Sequence, residues 1–140
     1  MTKRFGIDTS VLVRLTTGEP PQAFDEAVTV LTKMVEREHA SIFAGNMVIG
    51  EAYIALQHHY AVTKADAKSA LRSVLTSGLV APVGGEAVLE ALATTRGCGL
   101  LDRLIALQYT ETGLTTLTLD RKMSTLPNVN RLGSKTTPRS

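Results

Sequence analysis

The sequence has no tryptophan, and aromatic residues make up 4% of its 140 positions. A core built from such a chain is aliphatic, and the ring platforms on which single-strand binders stack bases are scarce. Cys98 is the single cysteine, which excludes an intrachain disulfide and a metal–thiolate cluster and fits a reducing compartment. No apolar run approaches the roughly 20 residues of a membrane-spanning helix. The opening MTKRFGIDTS carries two charges and then a strand-like run, not the apolar stretch of a signal peptide. The expected location is the cytoplasm, with no membrane partner. Neither the P-loop nor the dinucleotide-binding glycine pattern occurs, so no nucleotide cradle is indicated.

What is present is an alternation of short apolar runs with amphipathic segments. Lys3 to Ile7 reads as a first strand, followed by a helix over residues 10–17 with Asp8, Thr9 or Ser10 as its cap. After the break at Gly18-Glu19-Pro20-Pro21, apolar residues recur at helical spacing over 22–37. Ser41 to Ala44 predicts a second strand, and Asn46 predicts the cap of a helix running towards Tyr60. Thr63-Lys64-Ala65-Asp66 resembles a capping box opening a helix to about Thr76. A third strand is expected over 79–83, a helix from Gly85 or Glu86 to near Gly97, and another over 100–112 closed by Gly113. Thr115 to Leu119 predicts a fourth strand, residues 121–124 a helical turn and residues 127–132 an edge strand. The pattern predicts one α/β domain over residues 1–132, a three-layer sandwich with a mainly parallel sheet. Residues 133–140 form a polar tail expected to be disordered.

Four acids occupy suggestive places. Asp8 ends strand one and Asp120 ends strand four, and in open parallel sheets ligand sites form beyond the carboxyl ends of strands. On that reading the two strand ends share one rim. Glu51 and Asp102 each interrupt an apolar helical segment, and acids so embedded need compensating charge. Singly, each has a plain role: Asp8 as a helix cap, Asp102 as an acid favoured by the helix dipole, Asp120 as a turn residue, Glu51 on a solvent face. Together, converging carboxylates require cations or protons. Hard oxygen ligands without nearby His or Cys favour Mg2+ or Mn2+. With those four of the 13 acids sequestered, the remainder would be strongly basic, since Lys and Arg number 15. Such a surface suits a polyanion.

The stretches GIDTSVLVRL, GEAYIAL, LLDRLIALQ and TTLTLDRKM, in this order, resemble the PIN-domain nucleases, in particular the VapC-type toxins of toxin–antitoxin pairs. The resemblance spans residues 3 to about 132. It implies a PIN-like α/β/α sandwich and Mg2+- or Mn2+-dependent hydrolysis of RNA phosphodiester bonds. It also implies an acidic catalytic and metal site of Asp8, Glu51, Asp102 and Asp120, a homodimer, and a cognate antitoxin that neutralises the enzyme. Thr9 and Thr118 would be polar support, and Arg14, Arg103, Arg121 and Lys122 candidates for substrate phosphates. Many relatives carry a further Asp three residues before the Asp102 position, where this chain has Gly99.

Other readings keep their place. A haloacid-dehalogenase-type phosphatase wants a second Asp two residues after the first, where Ser10 stands, and a receiver domain wants adjacent acids at the end of strand one. A non-catalytic PIN-like module that binds RNA or protein would carry the same acids. His39 reads as a surface residue and His58-His59 as a helix end. Cys98, between two glycines, reads as a small buried residue.

Overall fold

The computed structural model describes residues 2–133 of the chain. Strand β1 (Arg4–Gly6) pairs in parallel with β2 (Ser41–Ala44), which pairs in parallel with β3 (Ala81–Pro82). The connections are helical: α1 (Thr9–Thr17) and α2 (Pro21–Glu36), then α3 (Asn46–His59) and α4 (Lys64–Leu75). After β3 come α5 (Glu86–Ala93) and α6 (Leu100–Glu111). Strand β4 (Thr116–Thr118) and β5 (Val129–Arg131) pair in parallel with each other, joined through a 3₁₀ turn at Met123–Thr125. The expected parallel α/β architecture is present, and the elements fall where the sequence places them.

Four details differ. The helix expected to reach Gly97 stops at Ala93, and the third strand shrinks to two residues. Asn46 is not the cap of α3; Gly45 holds that position. The Asn46 side chain instead donates from Nδ2 to the Leu104 carbonyl at 2.9 Å, bolting α3 to α6. A polar side chain at a helix start has both options, and here the neighbouring helix offers the better acceptor. The largest difference concerns the rim. β4 lies in its own two-stranded sheet, so strand pairing does not carry Asp120 to the edge beside Asp8. Strands of three residues offer few ladder bonds, and packing decides where they sit.

The main core is aliphatic, as the scarcity of aromatics implies. Leu12 and Leu15 of α1, Ile42 and Ala44 of β2, Ile49 and Leu56 of α3, Leu71 of α4, Val88 of α5 and Leu100 and Leu104 of α6 are buried in one cluster. A smaller cluster of Ala106, Met123 and Val129 sits under β4 and β5. Gly50 permits the α3–α6 approach: a Cβ there would stand 3.1 Å from Leu101 Cδ2. The N-cap of α6 is Gly99, in extended backbone with no side-chain cap bond and open space around a would-be Cβ. A serine there can accept from the first-turn N–H groups and reduces unfolded-state freedom. Gly99→Ser is expected to raise stability by about 0.5 kcal/mol, read as a higher denaturant midpoint at unchanged slope.

Candidate active site

The turn from β1 into α1 places the first acid. The Ile7 N–H donates to the Phe43 carbonyl at 2.9 Å, anchoring the strand end to β2. Asp8 follows as the N-cap of α1. Its Oδ1 accepts from the Ser10 hydroxyl at 2.6 Å and from the Val11 N–H at 3.2 Å. The Ser10 hydroxyl, and after it the Val11 amide, hold the Asp8 carboxyl below its ordinary value of 3.8, because both stabilise the charged form. The plain role of Asp8 as a cap is therefore real, and it uses one carboxylate oxygen.

Linkage gives this shift a sign. A carboxyl whose folded value is depressed contributes stability above the unfolded value, and that stability is lost as pH falls through the folded one. Thermal melts should show Asp8→Ala losing less stability than the wild type between about pH 5 and pH 3. Equal losses would remove the assigned shift.

The second acid is tied to this turn. The Thr9 hydroxyl donates to Glu51 Oε1 at 3.1 Å across the α1–α3 interface. Glu51 is exposed, on the solvent face that its plain reading gives it and not sunk in an apolar segment. Its helix buries Ile49, Gly50, Ala52 and Tyr53, and position 51 turns outward. Glu51 lines a groove of about 290 Å3 with Met47, Ile54, Leu101, Leu104 and Ile105. That groove runs along α6, whose first turn carries Asp102, half-buried.

Asp120 follows β4 and is exposed. Its Oδ1 accepts from the N–H groups of Lys122 at 2.7 Å and Met123 at 3.1 Å, while its own N–H donates to Thr118 Oγ1 at 3.0 Å. Thr118 thus holds the backbone of Asp120, and Asp120 shapes the turn behind it. Asp8, Thr9 and Glu51 form one contiguous group; Asp102 lies in the first turn of α6, whose Leu101 and Leu104 are the residues that meet α3 at Gly50, and Asp120 follows β4 of the second sheet. Among the described residues, no group of three or more His, Cys, Asp or Glu side chains is gathered closely enough to hold a metal ion.

The cationic candidates divide. Arg14, Arg121 and Lys122 are exposed. Arg103 is committed: its Nε donates to the Cys98 carbonyl at 3.1 Å and its Nη2 to the Arg96 carbonyl at 2.7 Å, so the guanidinium ties down the loop before α6. Cys98 is buried, and His39, His58 and His59 are exposed. Ser10, one of the three cap candidates in the sequence, is not the cap but the hydroxyl donor to the capping carboxylate of Asp8.

Carboxylate oxygens are the right donors for a hard cation, and Mg2+ needs only one or two of them because it keeps several waters. Asp8 with Glu51 meets that minimum in residue type and grouping; a four-carboxylate set does not assemble here. Among the described residues, no helix is long and apolar enough to cross a membrane.

The family model described as PIN domain matches residues 6–129. No curated protein sequence matches the chain. Among solved structures it is similar to a chain in the crystal structure of VapBC2 from Rickettsia felis bound to a DNA fragment from their promoter. The two share 18% identity over 94% of this chain and 97% of that one, with a TM-score of 0.41.

Proposed function

The chain belongs to the PIN-domain family, and from that premise we propose that it is a ribonuclease dependent on Mg2+ or Mn2+, hydrolysing RNA phosphodiester bonds. The observation that carries the reading is the Thr9–Glu51 hydrogen bond. It ties Glu51 to the residue that follows Asp8, at the carboxyl end of β1, where parallel sheets place ligands.

Asp8 and Glu51 would hold the cation. Asp8 is kept ionised by Ser10 and Val11, so its charge does not depend on the metal. Thr9 fixes one oxygen of Glu51 and orients the other. Asp102, on α6, and Asp120, in the turn after β4, are the outlying members of the proposed acidic site and are not gathered with this pair. The bound cation supplies Lewis-acid stabilisation of charge building on the phosphate. Arg14, Arg121 and Lys122 would contact flanking phosphates, where they position substrate without reading sequence. Cleavage of a defined RNA with Mg2+, absent with EDTA, tests the reading.

The proposal includes a homodimer and a cognate antitoxin. The α3–α6 groove supports a partner: Met47 is 77% exposed, and Ile54 and Ile105 flank it at 42% and 47%. Light scattering on the eluted protein should give twice the chain mass. A second reading, a non-catalytic PIN-like module binding RNA or protein, is favoured by the lack, among the described residues, of a gathered group of three or more carboxylates. RNA binding without cleavage in either metal would establish it.

A further inference from the structure

Helix α4 carries Lys64, Lys68 and Arg72 in one row, four residues apart. All three line a cleft of about 490 Å3 whose other side is residues 92–100, with Tyr53 also in its wall. No carboxylate lines the cleft. Lys68 donates to the Thr94 carbonyl, which fastens the row to the opposite wall. Like charges four residues apart on a helix repel, and among the described residues none of the three makes an ion pair. A row kept against that repulsion and facing an acid-free cleft matches a polyanion.

Helical rise sets successive members about 6 Å apart along the axis, near the separation of successive phosphates on a nucleic-acid strand. Gly99 and Leu100, at the start of α6, also line the cleft. No side chain caps that helix end, and its N–H groups favour an anion. Asp102 lies in the first turn just beyond.

We propose that this cleft seats the phosphodiester backbone of an RNA strand, with Lys64, Lys68 and Arg72 each meeting one phosphate and the strand leading along α6 towards the acidic residues. The choice of RNA among nucleic acids rests on the ribonuclease reading; the cleft's preference for a spaced polyanion does not.

The test is binding of a fluorescent single-stranded RNA by the full chain in EDTA, over a series of KCl concentrations. Lys64 and Arg72 are exposed, so Lys64→Gln/Arg72→Gln should fold; an unchanged melting curve checks it. Lys68 stays, since it fastens the wall. The double variant should bind about tenfold more weakly at moderate salt, and the slope of log affinity against log salt should shrink by about 1.4, the value for two lost single-strand contacts. Lys33→Gln, on α2, should change neither. Wild-type affinity and slope in the double variant overturn the inference, as does absence of RNA binding by the wild type at low salt. So does loss of poly-glutamate binding with RNA binding unchanged, which would assign the row to an acidic protein. Binding in EDTA needs no cleavage. A chain that binds RNA through this row yet never cuts it overturns the ribonuclease reading alone, and one that cuts RNA but binds it unchanged in the double variant overturns this inference alone.

Discussion

Asp8→Asn should abolish metal-dependent RNA cleavage, lowering the rate on the order of 1000-fold or more, while the protein stays folded. Groups aimed at charge that develops in a transition state typically cost 100- to 1000-fold when removed singly, and loss of a ligand removes the cation's share besides. The substitution suits the question because asparagine is also a good N-cap. Its side-chain oxygen can still accept from Ser10 and Val11, so α1 keeps its start. Activity and melting temperature therefore separate: the charge matters to chemistry, the oxygen to the helix. Asp8→Ala removes both, and should lower the melting temperature as well as the rate. A folded Asp8→Asn protein with wild-type cleavage would remove Asp8 from the site.

Leu12→Ala should be the most damaging single truncation near the site. Leu12 is wholly buried, one turn along α1 from Asp8. Truncating such a leucine costs the transfer free energy and leaves a cavity, about 3–5 kcal/mol together. For a domain of this size that is a fall in melting temperature of roughly 10–15 °C, a large part of the total stability such domains have. The site should suffer with it. Thr9 and Asp8 sit on the first turn of the same helix, and the Thr9–Glu51 bond spans α1 and α3. Thermal melts measure the first effect; cleavage well below the melting range measures the second. A loss under about 1 kcal/mol would mean that α1 is not seated as described.

The helices were legible because their signals are local. Thr63 caps α4 and accepts from the Asp66 N–H, as its spacing from Asp66 implies, and the apolar period marks buried faces such as Ala67, Leu71 and Leu75. Asp8 was legible as an N-cap for the same reason. The third strand and the end of α5 were overextended because apolar runs do not announce where pairing stops. The partner of Asn46, the Leu104 carbonyl, lies 58 residues away, so no local pattern reveals it. That β4 pairs with β5 and not with the sheet of β1 is no more legible locally, since strand order depends on packing between distant segments. Thr116 to Leu119 alternates cleanly, yet it is Thr116 that is buried and Leu117 and Leu119 that are exposed. Alternation predicts two faces and not which one meets the core. Glu51 lies on the solvent face that its plain reading gives it, and the bond that holds it comes from Thr9 on another helix, which no local pattern announces.

Cation binding in the absence of RNA tests the central claim most directly. Mn2+ titrated into the full chain, followed calorimetrically or by the loss of free-ion resonance, reads the site without requiring turnover. The account predicts saturable Mn2+ binding that Asp8→Asn and Glu51→Gln each weaken at least tenfold, competition by Mg2+, and no change in Lys33→Gln. Equal Mn2+ affinity in the wild type and the Asp8→Asn/Glu51→Gln double variant would contradict it.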